Sequence, residues 1–280
     1  MRELRRGIRS AKGIALAALT LLGAFVASLV CVWIEGTERA KSSAGSTQAY
    51  IEFKRQLLEE ATGDAPFAAY LANIPTSLLI FLKITVWLSP LLVALLGFDA
   101  VSGELQHRTA RFWTVRSRRW SYLAGKLLGL WALVGLVTLA LNVLAGTVAL
   151  VRGYVTLGEL VQWGVRFWLV TLAIAGAWAA VATFISSCFR TPMLALLTTF
   201  ATFFVSWIAG AGGFISRRSH TTDAGIASHM AWYEYFYPNA YDTLLLSPET
   251  TKVLTALGIL IGFAGITLAA GSLVFQRRDI

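Results

Sequence analysis

The stretch Gly125–Val151 reads GKLLGLWALVGLVTLALNVLAGTVALV, and after Lys126 it contains no charged residue. A helix needs about 20 mainly apolar residues to cross the ~30 Å hydrocarbon core of a bilayer. This run is long enough to do so. It is also too long and too continuous for a transmembrane β-strand, which alternates over about 10 residues. The stretch therefore predicts a helical integral membrane protein.

The composition of the whole chain points the same way. Of its 280 residues 56% are hydrophobic and only 14% are charged, and the mean hydropathy is +0.65. A soluble domain carries about 25% charged residues and needs a polar surface, so a soluble globule is excluded. The high apolar content excludes a disordered chain, and two cysteines are too few for a disulfide scaffold.

Five further apolar runs are long enough to cross a membrane. We therefore predict an all-α integral membrane protein whose residues 1–280 form a single transmembrane domain. Its six transmembrane helices are predicted at Gly13–Ile34, Ser77–Phe98, Gly125–Val151, Phe167–Phe189, Met193–Gly213 and Val253–Phe275.

The charges between these runs predict an orientation. The N-terminal arm, the segment after the second span, Arg190 and the tail together hold 14 basic and 4 acidic residues, whereas the other three loops hold nine basic and eleven acidic residues. Basic residues concentrate in cytoplasmic loops, so the first set and both termini are predicted to be cytoplasmic. The net charge of +9 is explained by this topology, and we expect no nucleic-acid partner.

Two outer loops, 35–76 and 214–252, have patterns of their own. Tyr50–Ala61 predicts an amphipathic helix that lies on the outer leaflet or caps the outer end, with substrate contact as the alternative. Ala231–Tyr241 reads AWYEYFYPNAY, and six of these eleven residues are aromatic. Aromatic rings collect at the headgroup level, so this piece predicts an interfacial or re-entrant segment whose backbone must be covered by protein.

A few polar residues lie within the predicted spans. Lys83 is near the outer end of the second span, where it can snorkel to the interface or take part in a translocation path. Pro90 should kink the same span because it removes a backbone hydrogen bond. Hydroxyls near one face of the fifth span either bond to the preceding turn or line a groove. The candidate translocation groove consists of Lys83, Thr199, Thr202 and Ser206.

Motifs for catalysis and for nucleotide binding are absent from the sequence. It has no P-loop, no His-Glu-x-x-His and no Gly-x-Ser-x-Gly. An enzyme acting on lipids would also need a nucleophile or an acid–base pair at membrane depth. His220 and His229 are too few and too far apart for a metal site, so they are interpreted as solvated loop residues. We therefore predict a protein that is not an enzyme and binds no cofactor, with energy supplied by a partner or a gradient.

The cytoplasmic segment 99–122 joins the second and third spans. Four of its residues recur at helical spacing on one face: Val101, Leu105, Thr109 and Phe112. Acidic residues precede basic ones along this stretch, as the helix dipole favours. The segment therefore predicts a short amphipathic helix at the inner membrane face, either resting on lipid or docking a cytosolic protein.

This segment resembles the inner loop of permeases in the type-2 exporter family of ATP-binding-cassette (ABC) transporters. That loop typically reads Asp-x-x-x-x-Glu-x-x-x-Gly-Thr, followed by Pro-x-x-Arg and by Gly-Lys at the third span. The matching residues are Asp99, Glu104, Thr109, Arg119, Gly125 and Lys126. Arg108 stands where the family has Gly, and Arg116 lies near the family's Pro. The tail FQRRDI at Phe275–Ile280 is similar to the family's Phe-x-Arg-Arg-Asp ending.

The resemblance implies a membrane-spanning subunit of an ATP-driven exporter in the bacterial inner or plasma membrane. Two permease chains, identical or paralogous, would pair with two cytosolic ATPases that bind ATP and Mg. Residues 1–12 would be an interfacial arm on the inner leaflet. The residues implied in coupling to the ATPase are Asp99, Val101, Glu104, Leu105, Arg108, Thr109, Phe112, Arg116, Arg119, Gly125 and Lys126. The alternative is a membrane anchor or assembly factor that recruits a cytosolic partner and transports nothing.

Overall fold

The computed structural model describes residues 23, 25–37, 47–62, 64–107, 109, 119–220 and 236–277. Within these ranges the chain forms helices joined by short turns, and it contains no β-strand. The helices are α1 (Phe25–Thr37), α2 (Thr47–Thr62), α3 (Ala65–Ala72), α4 (Thr76–Gly97), α5 (Ser102–Gln106), α6 (Arg119–Val151), α7 (Leu157–Cys188), α8 (Pro192–His220), α9 (Asp242–Leu246) and α10 (Thr250–Gln276).

Five of the described helices are long and apolar enough to cross a membrane: α4, α6, α7, α8 over Pro192–Gly210, and α10. They coincide with five of the six predicted spans, so the all-helical membrane fold is confirmed. The sixth prediction, Gly13–Ile34, falls largely outside the described residues, and its described end belongs to α1. Six spans and cytoplasmic termini therefore stay predictions.

Helix α7 begins at Leu157, whereas the predicted span began at Phe167. The residues at the start of the helix explain this difference. The side chain of Thr156 accepts a hydrogen bond from the backbone N–H of Glu159, and the carboxylate of Glu159 accepts one from the backbone N–H of Thr156 at 2.8 Å. This capping box satisfies two amides that a helix start leaves without partners. The helix therefore begins at Leu157, before the apolar run itself begins.

Helix α7 lies at the centre of the bundle, where it packs against α10, α6 and α4. Its small residues Ala175, Ala179 and Ala182 are fully buried, which lets neighbouring backbones approach closely. In contrast, α8 and α10 expose large apolar side chains such as Phe204 and Ile266. In a membrane protein such faces meet lipid or another chain.

Helices α2 and α3 precede α4 and pack against each other at the end of the bundle that the charge pattern predicts to be outside. The predicted helix at Tyr50–Ala61 is found as part of α2. Lys54 donates a hydrogen bond to the carbonyl of Ile74, and the hydroxyls of Tyr50 and Thr76 lie 2.7 Å apart. These bonds attach α2 to the start of α4, whereas its location on the outer side of the membrane stays a prediction.

Candidate functional site

The turn between α4 and α5 is attached to α7 by one buried hydroxyl. Ser186 Oγ accepts hydrogen bonds from the backbone N–H groups of Val101 and Ser102, both at 3.0 Å. The same oxygen donates to the carbonyl of Phe98 at 2.9 Å. The two N–H groups lie at the break between the helices, where Ser186 serves as their acceptor, and the carbonyl of Phe98 also accepts from Ser102 Oγ at 2.9 Å. The position of α5 is therefore defined by α7.

Glu104 on α5 forms an ion pair with Lys126 on α6. The two oxygens of its carboxylate accept from Lys126 Nζ and from the Tyr122 hydroxyl, each at 2.7 Å. The side chains of Lys126 and Glu104 are only 10% and 16% exposed. Because solvent screens this pair weakly, its charge-assisted hydrogen bonds are stronger than those of a surface pair. Glu104 therefore faces its own chain.

An apolar cluster holds α5 against α6 and α10. Its buried members are Val101, Tyr122, Leu123 and Phe275, and Leu105 packs on them. The rings of Tyr122 and Phe275 stack with centroids 5.6 Å apart. The apolar face of α5 is therefore covered by protein. A helix that rested on lipid would turn this face toward the bilayer instead.

Arg119, at the start of α6, binds the end of α10. Its Nη1 donates to the carbonyl of Gln276 at 2.7 Å and to that of Phe275 at 3.4 Å. The last carbonyls of a helix have no intrahelical amide partner and carry the negative end of the helix dipole. A guanidinium donates hydrogen bonds to such carbonyls, and its positive charge is attracted to this end of the dipole. Arg119 therefore joins α6 and α10 at the same end of the bundle as α5.

A second polar network lies toward the other end of the bundle, where residues 236–247 pack against α7 and α10 and bond to α4. We call these residues the outer segment, after the predicted orientation. Asn239 Nδ2 donates to the carbonyl of Val86 at 2.8 Å, and Asn239 Oδ1 accepts from Trp178 Nε1 at 2.7 Å. Val86 lies about 15 Å along α4 from Thr76 at a rise of 1.5 Å per residue. The outer segment therefore reaches well into the bundle, as a re-entrant piece does, while residues 231–235 of the aromatic stretch lie outside the described ranges.

Lys83, placed by sequence either at the interface or on a translocation path, has a specific partner. Its Nζ lies 2.6 Å from Oδ2 of Asp242, with side-chain exposures of 43% and 13%. Asp242 begins α9, directly after the 3₁₀ turn Pro238–Tyr241. The lysine therefore connects α4 to the outer segment. Sequence analysis grouped Asp242 with the outer-loop acids and gave no sign of this pairing.

The candidate hydroxyls of the fifth span bond within their own helix. Thr199, Thr202 and Ser206 donate to the carbonyls four residues earlier, at 2.6, 2.9 and 2.8 Å. A groove of about 290 Å³ does lie between α4 and α8, but its lining is apolar, including Leu91, Phe200 and Trp207. None of the candidate groove residues contributes to this lining. Their role in translocation stays a prediction.

Comparison with known proteins gives the family. A family model described as "ABC-2 family transporter protein" matches residues 1–280. The chain belongs to the ABC-2 transporter family. No curated protein matches the sequence. The resemblance seen in the inner segment is confirmed, and membership makes this chain a multi-pass membrane component of a transport system.

In this ABC-2 protein helix α5 covers only the first part of the segment 99–122, most of whose remainder lies outside the described residues. Helix α5 ends at Gln106, and Thr109 lies in the following turn. The N–H and the hydroxyl of Thr109 both donate to the carbonyl of Glu104, at 3.0 and 3.3 Å. That carbonyl is thereby used by a residue five positions later, so the regular helical pattern stops. The predicted face from Val101 through Thr109 is not continuous. Arg108, Phe112 and Arg116 lie outside the described residues.

The structure brings together some of the residues proposed for coupling in this family member. Val101, Glu104, Leu105, Arg119 and Lys126 all contact the junction of α5, α6 and α10. Asp99 lies in the turn before α5 and its carbonyl accepts from the N–H of Gly103, while Gly125 is exposed on α6. Sequence reasoning missed Ser186 and Tyr122. The four-residue spacing of Tyr122 and Lys126 was the one available signal for a shared partner.

Among the residues that the structure describes, there is no group of three or more His, Cys, Asp or Glu side chains that could hold a metal ion. Proteins of the ABC-2 permease family act as transport components and are typically not themselves catalytic.

Proposed function

We propose that this chain is the permease subunit of an ABC exporter and that a separate cytosolic ATPase drives it through α5 and the residues after it. The junction around Glu104 is the observation that supports this proposal most. One short helix is connected to α4 by the chain, to α7 through Ser186, to α6 through Lys126 and to α10 through the apolar cluster. A force applied to α5 would therefore reach four spans together.

The residues that a partner could contact are not the residues that are buried in the junction. Gln106, His107 and Thr109 are exposed, whereas Val101 and Ser102 are fully buried. We therefore divide the proposed coupling residues into two groups. Residues from Gln106 onward would contact the ATPase, and Glu104, Lys126, Tyr122 and Arg119 would transmit its movement to the spans.

ATP binding would close two ATPase subunits against each other and displace the α5 segments of two permease chains. Such a displacement changes the populations of inward-facing and outward-facing arrangements only if the ATP-bound partner contacts one of them more favourably. In this proposal ATP and Mg bind to the ATPase. The exposed apolar faces of α8 and α10 are available to lipid and to the second permease chain.

Co-purification of an ATPase tests this proposal. The full chain, tagged and extracted from native membranes, is expected to bring down a P-loop ATPase. Thr109→Glu at the exposed inner turn should weaken the pairing. Thr250→Glu is the matched control and should not weaken it, because it makes the same change at an exposed site where α10 begins, near the opposite end of the bundle. Equal binding by both variants would count against the assigned surface.

Thiol labelling from outside the cell tests the orientation. A cysteine placed at Thr109 should be protected from an impermeant reagent in intact cells, and one placed at Thr250 should react. Labelling at position 109 would contradict the proposal. ATPase binding without ATP-dependent flux in reconstituted vesicles would favour the anchor or assembly factor instead.

A further inference from the structure

Two tryptophans lie deep within α6 and α7, away from the helix ends. Trp131 and Trp168 stand about 17–18 Å along their helices at a rise of 1.5 Å per residue. Tryptophan normally collects at the membrane–water interface, where water can bond to its indole N–H. Deep in a span no water is present, so the N–H of each indole needs a partner within the protein.

Each indole bonds to a backbone carbonyl of the other helix. Trp131 Nε1 donates to the carbonyl of Leu172 at 2.8 Å. Trp168 Nε1 donates in the opposite direction, to the carbonyl of Gly135 at 2.9 Å. On each helix the donor and the acceptor are four residues apart, so the two bonds lie about 6 Å apart along the interface. Helices α6 and α7 are therefore joined by two reciprocal bonds.

Two glycines let the helices come close enough for these bonds. A Cβ on Gly176 of α7 would lie 3.1 Å from Trp131 Nε1. A Cβ on Gly135 of α6 would lie 2.8 Å from a methyl of Leu172. Any side chain at either position would push the helices apart, because small residues are what allow two spans to approach this closely.

The same two helices connect opposite ends of the bundle. At the junction with α5, Lys126 of α6 pairs with Glu104, and Ser186 of α7 bonds to the backbone where α5 begins. Arg166 of α7 lies about 30 Å from Ser186 along the helix. Its Nη1 donates to the hydroxyl of Tyr70 on α3, and its guanidinium lies 5.4 Å from the centroid of that ring. The pair of helices therefore reaches from α5 to α3.

We propose that Trp131 and Trp168 are positioning residues that lock α6 and α7 into one rigid unit, and that this unit carries movement of α5 to α3. One bond between two helices lets them slide or rotate about it. Two bonds about 6 Å apart oppose both movements. Without them, a displacement of α5 would be absorbed between α6 and α7. The role in transport rests on the proposed function, whereas the locking itself does not.

Hydrogen–deuterium exchange of the full chain in lipid nanodiscs tests the locking. Trp131→Phe and Trp168→Phe should each raise amide exchange at 135–142 and 172–179 only about two- to threefold, because the remaining bond still holds the pair. The double variant should raise it about thirtyfold, which is the effect of losing two neutral hydrogen bonds and exceeds the product of the single effects. A double effect equal to that product would show that each tryptophan acts by itself, and it would overturn the proposal.

Trp207→Phe is the matched control for these variants. Trp207 also bonds two helices through its indole, since it donates to the carbonyl of Trp87 at 3.2 Å between α8 and α4. The change should leave exchange at 135–142 and 172–179 as it is in the natural chain. A rise there equal to that of the double variant would show a general loosening of the bundle and would also overturn the proposal.

The indole N–H itself is tested with β-(3-benzothienyl)alanine, in which sulfur replaces the N–H and the ring keeps its shape. Introduced at positions 131 and 168 together, it removes both donors and leaves the packed volume nearly unchanged, so it also serves if the phenylalanine variants do not fold. It should reproduce most of the rise seen in the double phenylalanine variant. Exchange equal to that of the natural chain would show that the two rings only fill space.

The transmission is tested in the complex with the co-purified ATPase. A bimane label on Gln106→Cys reports on α5, and one on Asn73→Cys reports on the end of α3; both positions are exposed, and the natural Cys31 and Cys188 are replaced by alanine. Addition of ATP and vanadate should change the fluorescence at both positions. In the double tryptophan variant the change at 106 should persist and the change at 73 should be lost. An undiminished change at 73 would refute the role in transmission.

The exchange experiments need no ATPase and no cargo. If they fail, the locking is refuted and the permease assignment is untouched. If no ATPase is recovered, the assignment fails, and the locking of α6 to α7 can still be measured in the chain alone.

Discussion

Separating Glu104 from Lys126 is the most direct test of the inner junction. Lys126→Met would leave a carboxylate that is 16% exposed with the Tyr122 hydroxyl as its hydrogen-bond partner from α6. Breaking a fully buried pair costs roughly 3–5 kcal/mol, and the partial exposure here reduces this to about 2–3 kcal/mol. Glu104→Gln keeps an amide oxygen as acceptor for Lys126, and the Tyr122 hydroxyl can accept from the new NH2 group, so this change should cost less, about 1–2 kcal/mol.

The double variant distinguishes a pair from two independent residues. With both charges removed, neither is left uncompensated, so the cost should be about 2 kcal/mol, well below the sum of the single changes. The assay is equilibrium unfolding of the full chain in mixed micelles, with amide exchange in 101–106 as the local measurement. If the cost of the double variant equals the sum of the two single costs to within about 0.5 kcal/mol, the pairing is refuted. Glu104→Lys should be worse than Glu104→Gln, because it places two cations at one buried site.

Two further changes test the packing that supports this junction. A Cβ on Gly97 would lie 2.5 Å from a methyl of Leu130, so Gly97→Ala should lower the unfolding free energy by about 1–3 kcal/mol, whereas Gly258→Ala, which meets nothing within 4 Å, should not. Ser186→Ala removes the acceptor of two buried amides and should cost about 1–3 kcal/mol, with faster exchange of those amides. Ser187→Ala, which loses only a bond to its own helix, is the control and should cost less.

The sequence predicted the five long apolar helices, because their formation depends on residues that are neighbours in the chain. An uncharged run such as Leu127–Val151 has to be helical in a bilayer, because no water is present to bond its backbone. The same reasoning required the aromatic stretch before the last span to be covered by protein, and in its described half Pro238, Asn239 and Tyr241 are buried, with Asn239 bonded to α4 and α7. Periodicity did not indicate the end of α5 at Gln106, where the N–H of Thr109 bonds to the carbonyl of Glu104 in a turn.

Sequence alone therefore determined that this is a helical membrane protein of a recognisable transporter type, because run length, charge bias and short motifs are properties of neighbouring residues. Tertiary structure alone decided which side chains meet. Lys83 and Asp242 are 159 positions apart, and Asn239 is 153 positions from Val86. Such pairs depend on how the helices pack and rotate, and nothing in the local pattern of either partner encodes the distance between them.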